Sequence, residues 1–340
     1  MARIVAVTGA SAGVGRAAAV AFGRRGDKVG LLARSRSGLE GACREVEAAG
    51  GQALALPTDV ADPAQMEAAA SRLEQAFGPI DVWVNNAMVT VFSPFARLTP
   101  AEFRRATEVT YLGYVWGTME ALRRMRPRGR GVIVQVGSAL AYRAIPLQSA
   151  YCGAKFAIRG FTDSVRTELL HEDSDIRLTM VQMPALNTPQ FDWARTHISR
   201  RPQPVAPIYA PEVAAEAIVW AAENPRRELW VGASTVEAIL ANKLCPGLLD
   251  RYLAATGVAS QQTNEPVSPG RRDNLFAPVD GLHRTHGRFG DRTRHGSWQL
   301  WASRHRAAIS GALGLGAVAA VMLLWPSRES GEQASRAGSD

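Results

Sequence analysis

Residues 4–15 read IVAVTGASAGVG, an apolar, β-branched run that passes at Thr8 into a turn carrying Gly9, Gly13 and Gly15. The first half predicts a strand closed by Gly9. The second half predicts a tight turn that opens a helix. Small residues there let a pyrophosphate approach the helix N-terminus, where free N–H groups and the helix dipole stabilise anionic charge. In a chain with 31 glycines the spacing alone carries little, and the strand–turn–helix placement carries the signal. Gly9, Ser11, Gly13, Val14 and Gly15 are therefore candidate contacts to a dinucleotide.

Outward from this stretch, strand-like and helix-like segments alternate to about residue 257. Apolar strand runs fall at 3–8, 28–33, 52–57, 80–85, 131–137, 176–183 and 228–232, with helical patterns at 13–25, 36–50, 63–77, 100–126, 149–171 and 211–223. The strands are continuous apolar runs, as in Val132–Val136, which predicts burial on both faces. The fold class is α/β, a doubly wound parallel sheet between two helical layers. Thr99, Pro100 and Glu102 mark the start of the helix near 100 as cap, first position and capping-box partner.

With 340 residues, 46% hydrophobic and 21% charged, the chain is globular rather than disordered. Its three cysteines form no CxxC pair, which argues against a disulfide framework or a cysteine zinc site and suits a reducing compartment. The net charge of +8 suggests nucleic acid until it is located. Residues 271–306 hold eight arginines against three aspartates, so the excess sits in a tail and no nucleic-acid partner is expected. Residues 258–306, rich in Gly, Pro, Arg and His, read as a flexible linker after a domain at 1–257. The histidine spacing there suits no common metal geometry, and no metal is expected.

Residues 307–325 (AAISGALGLGAVAAVMLLW) carry no charge and are followed by Pro326 and a polar tail, 326–340. A helix of this length spans about 28 Å, close to the ~30 Å hydrocarbon core of a bilayer. The stretch reads as a single membrane-spanning helix, the competing reading being a helix packed on the body. More arginines precede it than follow it, which leaves the larger domain in the cytoplasm, tethered to the membrane.

Three features carry chemistry. After the second strand a site for NAD(H) would place an acid to hold the ribose 2′-hydroxyl. Here Leu32-Ala33 is followed by Arg34, whose guanidinium suits a 2′-phosphate, so NADP(H) is preferred over NAD(H). Tyr151 and Lys155 lie one turn apart on a helix, and a neighbouring ammonium is expected to pull the phenol toward a useful acid–base range. Ser138 follows the buried strand 131–137, at the sheet edge where catalytic groups of open α/β folds gather.

Together these motifs resemble the short-chain dehydrogenase/reductase family over about residues 1–250: TGASAGVG at 8–15, Asp59-Val60, Asn85-Asn86-Ala87, Ser138, and Tyr151 with Lys155. The resemblance implies a seven-stranded Rossmann-type sheet and hydride transfer between a nicotinamide and a carbonyl or secondary alcohol. Tyr151 would be the proton donor or acceptor, Lys155 would bind the nicotinamide ribose, and Ser138 would orient the substrate oxygen. Asp59 and Val60 would touch the adenine, and Asn86 and Ala87 would line the loop beside the cofactor. The sequence departs from the family at Met88, at Thr110, where an asparagine usually seats a relay water, and at Pro184-Ala-Leu-Asn-Thr188. Thr110 is still expected to bind that water, and Pro184 and Thr188 to touch the nicotinamide end. Phe191, Trp193 and Ile198, in the loop 185–210, would wall an apolar pocket or pack on the body. The expected activity is NADP(H)-dependent oxidoreduction of an apolar or lipid-like substrate, by a homodimer or homotetramer built through the helices at 100–126 and 149–171. The alternative is an NADP(H)-binding sensor or scaffold at the membrane.

Overall fold

Ile4–Thr8 forms strand β1, buried along its whole length, in a computed structural model that describes residues 2–306. The uncharged stretch 307–325 and the polar tail lie outside the described residues. Six further strands follow: β2 (Lys28–Ala33), β3 (Gln52–Pro57), β4 (Val82–Asn85), β5 (Arg130–Val136), β6 (Asp175–Gln182) and β7 (Glu228–Trp230). All pair in parallel in the order 7-6-5-4-1-2-3, so the sheet reverses direction between β1 and β4. Ligands of open α/β sheets bind beyond the strand C-termini at such a reversal.

The helices are α1 (Gly13–Gly23), α2 (Arg36–Ala48), α3 (Pro63–Phe77), α4 (Pro100–Thr107), α5 (Gly113–Met125), α6 (Ser149–His171), α7 (Gln190–Trp193), α8 (Pro211–Glu223), α9 (Ala233–Leu244), α10 (Pro246–Thr256) and α11 (Trp298–Arg304). Two apolar cores flank the sheet. One gathers Ala18, Phe22, Leu39 and Ile218 from α1, α2 and α8; the other gathers Met66, Leu73, Ala121 and Leu169 from α3, α5 and α6. The helix expected at 100–126 is interrupted by a π-helical turn at Glu108–Leu112. Its capping box is present, with Thr99 Oγ1 accepting from the Glu102 N–H at 3.3 Å and Glu102 accepting from the Thr99 N–H at 3.0 Å.

Residues 258–300 are not a flexible linker. Gln262–Pro266 pairs with Arg200–Pro202, and Thr293–Arg294 pairs with Ile208–Tyr209. Leu275, Val279, Phe289 and Leu300 are buried. Arg271, one of the arginines that read as part of a tail, is an anchor instead, donating to the carbonyls of Phe191, Asp192 and Ala194 at 2.7–3.0 Å. Irregularly spaced apolar residues and side-chain-to-backbone bonds hold this segment down, and neither produces a periodic signal. Residues up to Leu300 form one packed unit. Of the second, which begins at Trp301, the described part stacks Trp301 on His305 with ring centroids 4.7 Å apart. Among the described residues no helix is long and apolar enough to cross a membrane.

Candidate active site

The glycine turn is built as its spacing predicts. Gly9 and Gly13 have φ of +70° and +56°, the left-handed region that glycine enters without strain. A Cβ on Gly15 would lie 2.3 Å from the Gly9 carbonyl oxygen, so Gly15 sits behind the turn and lets it close. Asn86 braces the turn by donating from Nδ2 to the Thr8 carbonyl at 2.9 Å, while Thr8 Oγ1 accepts from the Asn86 and Ala87 N–H groups at 2.8 and 3.1 Å. Thr188 packs directly against Gly13.

Beyond the turn, the C-terminal ends of β1, β4 and β5 open on a cleft of about 470 Å³. That lies within the ~300–1,000 Å³ of ordinary small-molecule sites. Gly9, Ser11, Gly13 and Val14 line it together with Arg34, Asp59, Val60, Asn86, Ala87, Pro184 and Thr188. Ser138, Tyr151 and Lys155 line it too, sharing one cavity with the expected cofactor contacts other than Gly15. The turn of small residues and the length of this lining fit a nicotinamide dinucleotide.

Ser138 follows β5 and is held from both sides. Its N–H donates to Gln182 Oε1 at 2.8 Å, and its hydroxyl accepts from the Leu140 N–H at 3.1 Å. Tyr151 lies in the first turn of α6 and Lys155 one turn further on. Lys155 Nζ donates to the Val136 carbonyl at 2.7 Å and to the Tyr114 hydroxyl at 3.1 Å, and it stands 5.5 Å from the centre of the Tyr151 ring. The expected shift of the phenol is reversed. Burial holds Tyr151 well above its ordinary value, and a hydrogen bond with Ser138 offsets this only in part. Burial also pulls the Lys155 ammonium down to about 7. Burial, which disfavours the charged form of each group, is the largest cause of both shifts.

Thr110 does not join them. It is absent from the cleft wall, and its hydroxyl donates to the Val89 carbonyl at 2.8 Å and accepts from the Val89 N–H at 3.1 Å. Its proton and one lone pair are taken by the Val89 backbone and the residue is fully buried away from the cleft, which corrects the water-binding role expected of it. Tyr114, one turn later, is the residue that reaches Lys155, and nothing in the motif spacing pointed to it. Phe191 and Trp193 line the cleft, whereas Ile198 packs beside Phe92 and Phe289 instead.

The end of the cleft lined by Arg34 and Asp59 departs further from expectation. Residues 271–289 form a strap across it. Arg34 donates to the backbone carbonyls of Asn274 and, at 3.3 Å, Leu275. Arg105 donates to the Leu275 carbonyl at 3.2 Å and pairs with Asp59. The Gly13 N–H donates to the Arg284 carbonyl at 3.0 Å. Asn274, Val279 and His283 of the strap line the same cavity as Tyr151. Arg34 thus faces the cleft and anchors its roof, and burial lowers its affinity for a proton while Asp59 opposes that.

The profile of the family described as short chain dehydrogenase matches residues 3–198. Among relatives, an uncharacterized oxidoreductase of Bacillus subtilis, YxnA, is 30% identical over 325 residues, covering 95% of this chain and 89% of its own. The ketoacyl reductase HetN of Nostoc sp. is 30% identical, covering 75% of this chain and 90% of its own. Among solved structures, an alcohol dehydrogenase from the archaeon Thermococcus sibiricus, complexed with 5-hydroxy-NADP, superposes with a TM-score of 0.59 at 26% identity over 68% of this chain and 96% of that one. The HetN and Thermococcus matches cover about the extent of the sheet domain, while the YxnA match is long enough to run through the strap.

Proposed function

The chain belongs to the short-chain dehydrogenase family and is an oxidoreductase of CH–OH groups; on that premise we propose that its cofactor is NADP(H) and its substrate an apolar carbonyl compound or secondary alcohol. The observation that carries this reading is the meeting of Ser138, Tyr151 and Lys155 in one cleft that is also lined by Leu140, Ile145, Leu186, Phe191, Val205 and Leu253. Such walls favour a substrate that leaves water readily.

A nicotinamide dinucleotide held along this lining would supply or accept the hydride. Ser138, its backbone held by Gln182 and its hydroxyl by the Leu140 N–H, orients the substrate oxygen. Tyr151 transfers the proton at that oxygen. Because burial keeps the phenol protonated at neutral pH, the tyrosine is set as a donor, which suits carbonyl reduction. Lys155 lies between Val136 and the Tyr151 ring, placed to hold the nicotinamide ribose. Arg34 and the absence of a carboxylate after β2 support the NADP(H) preference, as does the 5-hydroxy-NADP complex of the archaeal relative.

Two features concern assembly. Phe103, Met119 and Phe156 are exposed on α4, α5 and α6, apolar faces that suit a homodimer or homotetramer. The uncharged stretch 307–325 suits a membrane tether for the domain, tested by whether the full chain sediments with membranes. The enzymatic reading is tested by Tyr151→Phe. Turnover of NADPH with a panel of ketones is expected to fall at least ~10²-fold while NADPH binding, read by its fluorescence, persists. Retained turnover overturns the role of Tyr151.

A further inference from the structure

A polar side chain with a fixed orientation stands in the apolar part of the cleft and takes no part in the proton transfer. Gln148 immediately precedes α6, three positions ahead of Tyr151, and both residues line the cavity. A residue at this position ordinarily turns its side chain back onto the first N–H groups of the helix, yet Gln148 caps none of them. Its Nε2 donates instead to Gln261 Oε1 at 2.8 Å. Gln261 comes from the segment beyond residue 257 and is fully buried.

Gln261 dictates which way round the Gln148 amide lies. Its own Nε2 donates to the carbonyls of Pro146 and Gly257, at 2.8 and 2.7 Å, two groups that can only accept. The Gln261 oxygen is therefore the atom left for Gln148, which has to meet it with an N–H. The turn that carries Gln261 is itself pinned. Gln203 Nε2 donates to the carbonyls of Ser260 and Gln262 at 3.1 and 2.9 Å, and the Gln203 N–H donates to the Gln261 carbonyl at 2.9 Å. Gly257 lies against Pro146, where a Cβ would come within 2.9 Å of the proline ring.

The Gln148 oxygen is the end that remains. It is not enclosed, and no donor among the described residues meets it. Turning the amide over would set its oxygen against that of Gln261, two acceptors face to face. The cleft therefore offers a fixed acceptor, amid Leu140, Ile145 and Leu253, near the tyrosine.

We propose that Gln148 is a substrate-binding residue whose Oε1 accepts a hydrogen bond from a hydroxyl or N–H group close to the reacting carbon, and that Gln261 is the positioning residue that fixes the amide. The inference rests on the oxidoreductase reading of the cleft and narrows its substrates to apolar carbonyl compounds that carry one neighbouring donor, such as α- or β-hydroxy ketones.

The test is NADPH-dependent reduction of matched aryl ketones by the full-length protein. One set is phenacyl alcohol, its methyl ether and propiophenone; the other is β-hydroxypropiophenone, its methyl ether and butyrophenone. The ether keeps the electron-withdrawing oxygen without the donor, and the last ketone of each set puts a methyl group in place of the hydroxyl. In at least one set, kcat/KM for the hydroxy ketone is expected to exceed that of both analogues by about tenfold. Gln148→Met is expected to bring this ratio close to one. Gln261→Met is expected to lower it severalfold with Gln148 still in place, because nothing then fixes the amide. A merely structural pair of glutamines would slow all three ketones alike and leave the ratio unchanged. If a variant fails to fold, the wild-type ratio decides. A wild-type ratio near one in both sets, or a ratio untouched by Gln148→Met, overturns the inference and leaves the proposed function standing. A wild-type protein that reduces none of these ketones overturns both.

Discussion

Lys155 Nζ and the Tyr114 hydroxyl lie 3.1 Å apart and converge on one backbone carbonyl, that of Val136. Tyr114 is fully enclosed, and burial raises its phenol well above the ordinary value, so it stays a neutral partner for the lysine. Tyr114→Phe removes an acceptor from a buried ammonium. The expected cost is about 2 kcal/mol of stability, with kcat lowered several-fold and substrate KM little changed. Thermal unfolding and steady-state turnover read the two effects separately.

Burial of Lys155 gives stability a defined pH slope. Its pKa is about 7 in the folded protein and ~10.4 in an unfolded chain, so between those values the unfolded state binds more protons and stability rises with pH. Cys152, pushed up to about 11, and Cys43, also raised, oppose this from about pH 8 upward, where unfolded thiols begin to ionise, and the buried phenol of Tyr151 opposes it at still higher pH. The unfolding temperature is therefore expected to climb from pH 7 to about pH 8. Lys155→Met should flatten the climb, and a wild-type profile that falls over this range contradicts the burial.

Leu275 is fully buried although the chain around it looks like a solvated linker. Leu275→Ala is expected to cost about 2–5 kcal/mol, seen in denaturant unfolding. A position in a flexible linker would change stability by no more than ~0.5 kcal/mol.

At Gly15 the space for a side chain is already filled by the Gly9 carbonyl. Gly15→Ala forces the turn outward. Nucleotide affinity is expected to drop by more than about tenfold while the far-ultraviolet circular dichroism of the sheet and helices is retained.

Arg34 discriminates between the two nicotinamide dinucleotides if its guanidinium meets the 2′-phosphate. Arg34→Ala should weaken NADPH about tenfold or more relative to NADH, measured as the ratio of the two dissociation constants. Equal loss for both would mean that Arg34 serves only the strap carbonyls of Asn274 and Leu275.

The sheet and most of its helices were legible because each strand is a continuous apolar run and each turn is marked by glycine or a cap. Val132–Val136 and the Thr99–Glu102 box fall where their patterns place them. Ser138, Tyr151 and Lys155 were legible because fixed spacing on strand ends and helix faces determines where side chains emerge. The strap was not, since Leu275, Val279 and Phe289 are scattered apolar residues among arginines whose bonds run to distant carbonyls. Nor was the state of Thr110, because a threonine reads alike whether its hydroxyl faces a cavity or closes on a neighbouring peptide, as it does on Val89. The sign of the Tyr151 shift was also out of reach, because it depends on how thoroughly the folded chain excludes water.

The strap reaches the nucleotide cleft from the last part of the described chain, while β1 starts at the far, N-terminal rim of the sheet. The roof of the cleft is therefore built from late chain, and the first residues of the described chain have no part in it. By reciprocity, filling the cleft stiffens the strap, so a hydrogen-exchange footprint of nucleotide binding should extend through residues 271–289, far along the chain from the glycine turn.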